Sequence, residues 1–376
     1  MNKLLFTFLA TLLLVTLASA LTQQEADAAF GAVVSASLGD DAARTYLKLK
    51  TLTGFLAIGV SINGTVAGAA NSGSFQSDST VFTFDSNTMN YLFAYSKTKL
   101  DFGSFSASAS ANAYFLNYRP TAIIEYKETN GEQGFQFGKD TILGWVRLDK
   151  LKYTVSDESQ SFNNEKGAFK VNIYEVKNDI FSMMFYITEA PVSVAGNDLS
   201  AGQSKIDISI NNYYDSNINK KSLLCDVTSK TICSSTGPSS DPESRLAVSA
   251  LFINANANFD LNTQGDINVK TSDDNISVGF NWIGHADVKA TATDKSVAAT
   301  VSTNSNSTVN GNFFATANGF AEGSAQILIH SFDAVRPNSV VWDPSMGAGP
   351  SSNNSGLKVA IPTLMIIISV LVALLF

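Results

Sequence analysis

The densest run of chemistry-bearing side chains lies between Glu125 and Asp140, where Glu125, Glu128, Glu132 and Asp140 are interleaved with Asn130, Gly131, Gly134 and Gly138. Oxygen donors at Glu128, Asn130 and Glu132, with Gly131 and Gly134 to bend the chain, are the makings of a calcium loop, because a hard cation takes carboxylate and amide oxygens. The run lacks the alternating Asp order of an EF-hand and a bidentate Glu at the twelfth place. A hairpin turn on Asn130 and Gly131 accounts for the same residues. Two carboxylates several ångströms apart on a sheet would instead serve a glycosidase, and Glu125, Glu128 and Asp140 are the candidates for that role. No G-x-S-x-G elbow or Walker loop is present, and neither His285 nor His330 lies beside a nucleophile motif. The expectation is a non-enzyme that needs no cofactor, with calcium the one candidate ion.

The two Cys and two His, at 225, 233, 285 and 330, have neither the spacing of a zinc finger or a C-x-x-C redox site nor the number for a His-rich cluster. Cys225 and Cys233 are the only pair, and in an oxidising compartment they are expected to join. The short loop they close is worth roughly 2–3 kcal/mol in the chain-entropy view. That pins a loop rather than a fold, so stability must come from an apolar core. With 45% hydrophobic and 15% charged residues in 376, such a core is available. The net charge of −8 and the thin spread of Lys and Arg argue against nucleic acid as a partner.

Both ends of the chain read as addresses. Lys3, the apolar run Leu4 to Leu17 and the small-residue triplet Ala18 to Ala20 form a secretory signal peptide over residues 1–20. Residues 347–376 hold a small, polar stretch, a short spacer at Leu357 and Lys358, and an uncharged tail from Val359 to Phe376 with no basic residue after it. Small residues, a spacer and a terminal apolar tail make up a GPI-attachment signal, and a spanning helix usually keeps a basic stop. Asn354 is the preferred attachment residue, with Gly347, Ser352 and Ser355 as alternatives. A spanning helix is the other reading, since the tail is just long enough to cross a bilayer. Removing both segments takes away Lys3 and Lys358 and no acid, so the body is more acidic than the whole chain. Sequons at Asn63, Asn275, Asn306 and Asn353 fit an N-glycosylated, outward-facing protein held on the outer membrane leaflet by lipid.

Between the addresses, period-two alternation dominates. Val171 and Ile173 alternate with Lys170 and Asn172, and Asn178 and Asp179 turn the chain into a second strand over Ile180 to Ile187. Ile206, Ile208 and Ile210 oppose Lys205, Asp207 and Ser209. Ile276, Val278, Phe280 and Trp282 share one face. Each pattern predicts a half-buried antiparallel strand. Trp145 and Trp282 alternate with apolar neighbours and read as core rather than as sugar-stacking platforms, the role that remains for Trp342. A capping box at Thr22 to Glu25, followed by Ala26, Phe30, Val33 and Val34, predicts one short helix ending near Gly39. Strands rich in Ser, Ala, Asn and Thr, such as Phe105 to Tyr114 and Asn254 to Leu261, expose flat hydrogen-bonding rows. These are either solvated faces or a surface for self-association or glycan binding.

Composition divides the body into residues 21–118, with the helix and Ala/Ser-rich strands, 119–260, a central module with the cysteine loop, and 261–346, rich again in Thr and Asn. Strand spacing predicts an all-β fold of one large or two packed antiparallel sandwiches. Ile124 to Tyr126 with Thr129 to Gly131, then Trp145, the run KIDISINN from Lys205 and the run SRLAVSA from Ser244, resembles secreted proteins of simple animals, some from coral skeletal organic matrix. The resemblance spans the central module and implies an extracellular β-rich module rather than an activity. Glu128 and Glu132 depart from the Asp-rich form it leads one to expect. The reading as a whole is a GPI-anchored surface protein for adhesion, recognition or coat formation, with a glycan or a cell-surface protein as ligand. The alternative is an outward-facing carbohydrate-active enzyme.

Overall fold

The structure, a computed structural model, describes residues 45–350 apart from 51–53, 70–71, 103–106, 165–166, 189–191, 195–196, 200–202, 226–232, 236, 256–265, 271–275, 283, 291–295 and 317–318. The helix expected over Thr22 to Gly39, Asn275, Asn353 and the attachment candidates Ser352, Asn354 and Ser355 lie outside the described residues.

The chain opens as a meander of neighbouring antiparallel strands: β1 (Thr45–Lys50), β2 (Gly54–Ala69), β3 (Ser72–Asp85), β4 (Asn90–Phe102) and β5 (Ala107–Lys127). β6 (Thr141–Arg147) returns along the second half of β5, and a single 3-10 turn, Leu148–Lys150, leads away from it. A second meander follows, β7 (Thr154–Asn164), β8 (Gly167–Lys177) and β9 (Phe181–Thr188). After the small hairpin β10 (Val192–Val194) and β11 (Asn197–Leu199), β12 (Gln203–Asn211) adds to β9. The hairpin β13 (Leu223–Cys225) and β14 (Cys233–Ser235) touches β6, and β15 (Arg245–Ala255) adds to β5. The remaining strands are β16 (Asp266–Lys270), β17 (Ile276–Asn281), β18 (His285–Ala290), β19 (Ser296–Thr316), β20 (Gly319–Phe332), β21 (Pro337–Trp342) and β22 (Ser345–Pro350).

Their pairings give two layers. In the first sheet β1 to β5 are followed by β15, β20 and β19, so the two compositionally similar flanks meet through β15. In the second, β7, β8, β9 and β12 are followed by β21 and β22, then β18 and β17. β19 belongs to both: Ser296–Thr300 pairs with β18, and Val301–Thr316 pairs with β20. A strand that changes sheets in this way makes the corner of a sandwich. All described ladders between strands are antiparallel, as the alternation predicts.

The inward faces hold one continuous core with members from Phe55 to Met346. Its centre is aromatic. The Phe185 ring lies 5.0, 4.9 and 4.6 Å from those of Phe55, Phe84 and Tyr91, and Tyr174 stacks on Phe55 at 4.1 Å. Tyr118 stacks on Phe280 at 4.7 Å farther along. Ile206, Ile208 and Ile210 face this core as the pattern requires, and Trp282 and Trp342 are buried in it, which removes Trp342 as a sugar platform. Trp145 corrects the expectation in the other direction. Val146 occupies the core, and Trp145, one residue off in a period of two, is half-buried on the opposite face across from Leu223. Phe185→Ala is expected to cost about 3–5 kcal/mol in denaturant unfolding, because both sheets lose contacts at one cavity. Exposed Val297→Ala should change stability by less than about 0.5 kcal/mol.

Candidate functional site

Glu125 ends the inward-facing row of β5 and is fully buried where loops close the sandwich. Its carboxylate accepts hydrogen bonds from the Ser244 hydroxyl at 2.7 Å and the Ser239 amide at 3.0 Å. The space it fills exists because Gly144 stands opposite on β6, where a Cβ would lie 2.7 Å from Ser222 Oγ and 3.1 Å from Glu125 Oε2. Ser244 also meets the Tyr214 hydroxyl at 2.7 Å, and the Arg336 guanidinium covers the Tyr214 ring at 4.3 Å while donating to the carbonyls of Ser239 and Asp241. Burial lifts the Glu125 carboxyl above the ordinary range, and the hydrogen bonds and Arg336 pull the other way. The arrangement ties two loops to the end of β5.

The run from Glu128 to Asp140 folds back over the outer face of the first sheet. Its carboxylates serve its own backbone. The Gly134 amide donates to Glu128 Oε1, the Thr129 and Gln136 amides donate to the two oxygens of Asp140, and the Glu132 amide donates to Asn130 Oδ1. Glu132 meets the Lys139 ammonium at 2.9 Å, and Glu128 pairs with Arg245. Glu128, Asn130 and Glu132 are therefore turned to different partners, and no group of three His, Cys, Asp or Glu placed to hold a metal occurs among the described residues. Gly131, Gly134 and Gly138 adopt φ of 72°, 81° and 74°, and at Gly134 a Cβ would also stand 2.8 Å from Ser302. The loop thereby seats Phe135 in a second small core with Ile124, Tyr126, Ala247 and Ile329, its amide donating a hydrogen bond to Ser331 Oγ. The hydrogen-bonded turn is the reading that this geometry supports.

His330 sits in the main core among Trp342 at 4.4 Å, Trp282 at 6.0 Å and Tyr118 at 6.1 Å between ring centroids. Nδ1 meets the Thr303 hydroxyl at 3.0 Å, and Nε2 is buried without a hydrogen-bond partner among the described residues. Burial pushes the imidazole down to about 3, so it is neutral at physiological pH. His285, by contrast, is exposed at the start of β18.

One cluster escapes sequence reasoning. Lys205, on the outward face of β12, has a side chain only 2% exposed and lies between Asp207 and Asp343, with Asp343 Oδ2 at 3.3 Å. Its ammonium stands 4.9 Å from the centre of the Tyr186 ring. Burial and then the neighbouring Asp207 carboxylate hold Asp343 above the ordinary Asp range. Alternation marks Lys205 as a solvated residue. Only the register, which brings Tyr186 opposite Lys205 and Asp343 to the break between β21 and β22, reveals the contact.

The cysteines stand directly opposite each other in the β13–β14 pairing. Asn63 lies in β2 opposite Gln76, and Asn306 lies in β19 at an irregularity of its pairing with β20. No protein-family model matches the chain, and no curated protein matches it in sequence.

Glu125→Ala is expected to lower unfolding stability by about 2–4 kcal/mol, since Ser239 N–H and Ser244 O–H lose a buried acceptor, and Glu125→Gln by less because its carbonyl still accepts. His330 adds an acid-side slope. Its folded value lies below the ordinary 6.5, so its contribution is complete above that value and is lost as pH falls toward about 3. The loss, taken as the difference between wild type and His330→Phe in denaturant titrations, should approach about 1.4 kcal/mol per pH unit within the window.

Proposed function

We propose that this chain is a GPI-anchored, N-glycosylated cell-surface protein whose β-sandwich acts in adhesion, recognition or coat formation. The observation that carries the reading is the pairing of two addresses around one all-β body: a secretory leader at residues 1–20 and a small-residue, spacer and apolar-tail pattern at 347–376. A sandwich suits the role because it presents loops and strand faces outward from a rigid core that needs no cofactor. The Cys225–Cys233 register supports a disulfide in an oxidising compartment, since directly opposed residues of an antiparallel pair are within the Cα spacing that a disulfide spans.

The end of the sandwich bears on where the lipid is attached. Gly347 lies inside β22, paired with Gln203 on one side and Gly279 on the other. Transfer there would remove Ala348 to Pro350, which pair with Val278 to Ile276. Attachment at Asn354, or at Ser352 or Ser355, leaves the strand whole and sets the sandwich close to the outer leaflet. The ligand in this reading is a glycan or a surface protein met by loops or by the Ser, Thr and Asn rows.

Treatment of intact expressing cells with phosphatidylinositol-specific phospholipase C is expected to release the protein into the medium. Digestion with an N-glycosidase should then lower its apparent mass, by an amount reduced in Asn306→Gln. Retention of the protein together with a cytoplasmic epitope fused after Phe376 would contradict the anchor.

A further inference from the structure

We propose that Lys205 and Asp343 form an intramolecular isopeptide bond, with Asp207 as the group that moves the protons. Four observations place the parts. The nucleophile is a lysine whose side chain is 2% exposed, on the outward face of β12 beside a small apolar cluster of Val171, Ile173 and Tyr186. Its acyl partner is in reach: Asp343 Oδ2 is 3.3 Å from Lys205 Nζ, while Asp343 Oδ1 is buried without a hydrogen-bond partner among the described residues. A second carboxylate, Asp207, touches the same ammonium and is 17% exposed. The Tyr186 ring faces the ammonium from the neighbouring strand and keeps that side apolar.

The chemistry follows from what such a site does to each group. Burial together with a second acid favours the protonated carboxyl, and Asp207 stands against the ammonium as the base. Asp343 is shifted in that direction by burial first and by Asp207 second. A neutral amine is a nucleophile, and a protonated carboxyl is the electrophilic form of an acid. Asp207 takes a proton from the Lys205 ammonium, and the freed amine attacks Asp343 Cγ. The new C–N bond forms as a C–O bond breaks. Asp207 hands its proton to the departing hydroxyl, which leaves as water, and accepts one from the nitrogen. The products are a secondary amide, one water and a protonated Asp207, with no oxidant, metal or energy source consumed. Proximity supplies the drive that a dilute amine and acid lack.

The place of the bond in the fold gives it a use. Asp343 lies at the break between β21 and β22, where the Ile206 amide reaches the Pro344 carbonyl at 2.7 Å in place of a regular ladder. The amide would fasten β22 to β12 at that weak point. In the anchored reading, pull from the membrane enters through β22 and would pass into the middle of the second sheet without unzipping it. This mechanical use rests on the proposed anchor, whereas the bond itself does not.

The test is mass spectrometry of the purified full chain after reduction, denaturation and removal of N-glycans. The intact mass, set against that of the Lys205→Arg chain prepared alike, is expected to fall one water short of the value the substitution alone accounts for, and trypsin should fail to cut after Lys205 and yield one branched peptide containing Lys205 and Asp343. Lys205→Arg and Asp207→Asn should restore the full mass while a cooperative melt shows that the sandwich still forms. Asp343→Asn should keep the branch and lose ammonia instead of water, which identifies the side-chain carbon of residue 343 as the acyl carbon. Recovery of separate, unmodified Lys205 and Asp343 peptides from a wild-type chain with a cooperative melt would overturn the proposal. That result would leave the lipase release assay untouched, so the two readings fail independently.

Discussion

The structure depends on one contact across its two layers, the Phe185 ring set among Phe55, Phe84 and Tyr91. Each sheet alone would be a ribbon with an apolar face in water. Burying large aromatic rings against each other contributes both area and a preferred geometry, which fixes the distance and the offset of the sheets. The shared strand β19 then limits how the layers turn relative to each other, because Thr300 and Val301 are successive residues in two different ladders. From this constraint follow the closed end at Glu125 and the buried imidazole of His330. Both polar groups are held where the aromatic packing leaves no water to solvate them.

Polar residues in this protein do structural work at the places where the strands stop. Glu125 gathers loop hydroxyls and amides at one end. Asp140, Glu128 and Asn130 satisfy the amides of a glycine-bent loop so that Phe135 can be inserted beneath it. A buried backbone amide without a partner costs as much as a lost hydrogen bond, and carboxylates are efficient acceptors at such turns. An acid-rich loop is thus what a bent, partly buried segment requires, and a bound ion is not needed to account for its composition. The Lys205 cluster differs, since an ammonium and two carboxylates on a sheet face solve no backbone problem.

Much of the fold was legible because its strands obey a simple period. Ile206, Ile208 and Ile210 announce a core-facing row, and Phe280 and Trp282 do the same. Where reasoning from pattern failed, a neighbour out of sequence decided the outcome. Trp145 shares its apolar surroundings with Val146, and only the β5–β6 pairing determines which of the two points inward. Leu56 and Phe115 lie off the core-facing period and are nevertheless buried. The loop from Glu128 to Asp140 was legible as a turn and as a cation loop, and the choice between them required knowing which amides each carboxylate faces. Lys205 gave no signal, because its partners arrive from Tyr186 and Asp343 on other strands.

We propose that a lipid joined a few residues beyond Pro350 carries the sandwich, closed by β22, on the outer leaflet. The most direct measurement is mass spectrometry of the C-terminal peptide from protein isolated from membranes. The expected peptide ends at Asn354, or at its neighbours Ser352 or Ser355, and carries an ethanolamine phosphate glycan. A peptide that continues unmodified through Val359 to Phe376 would contradict it.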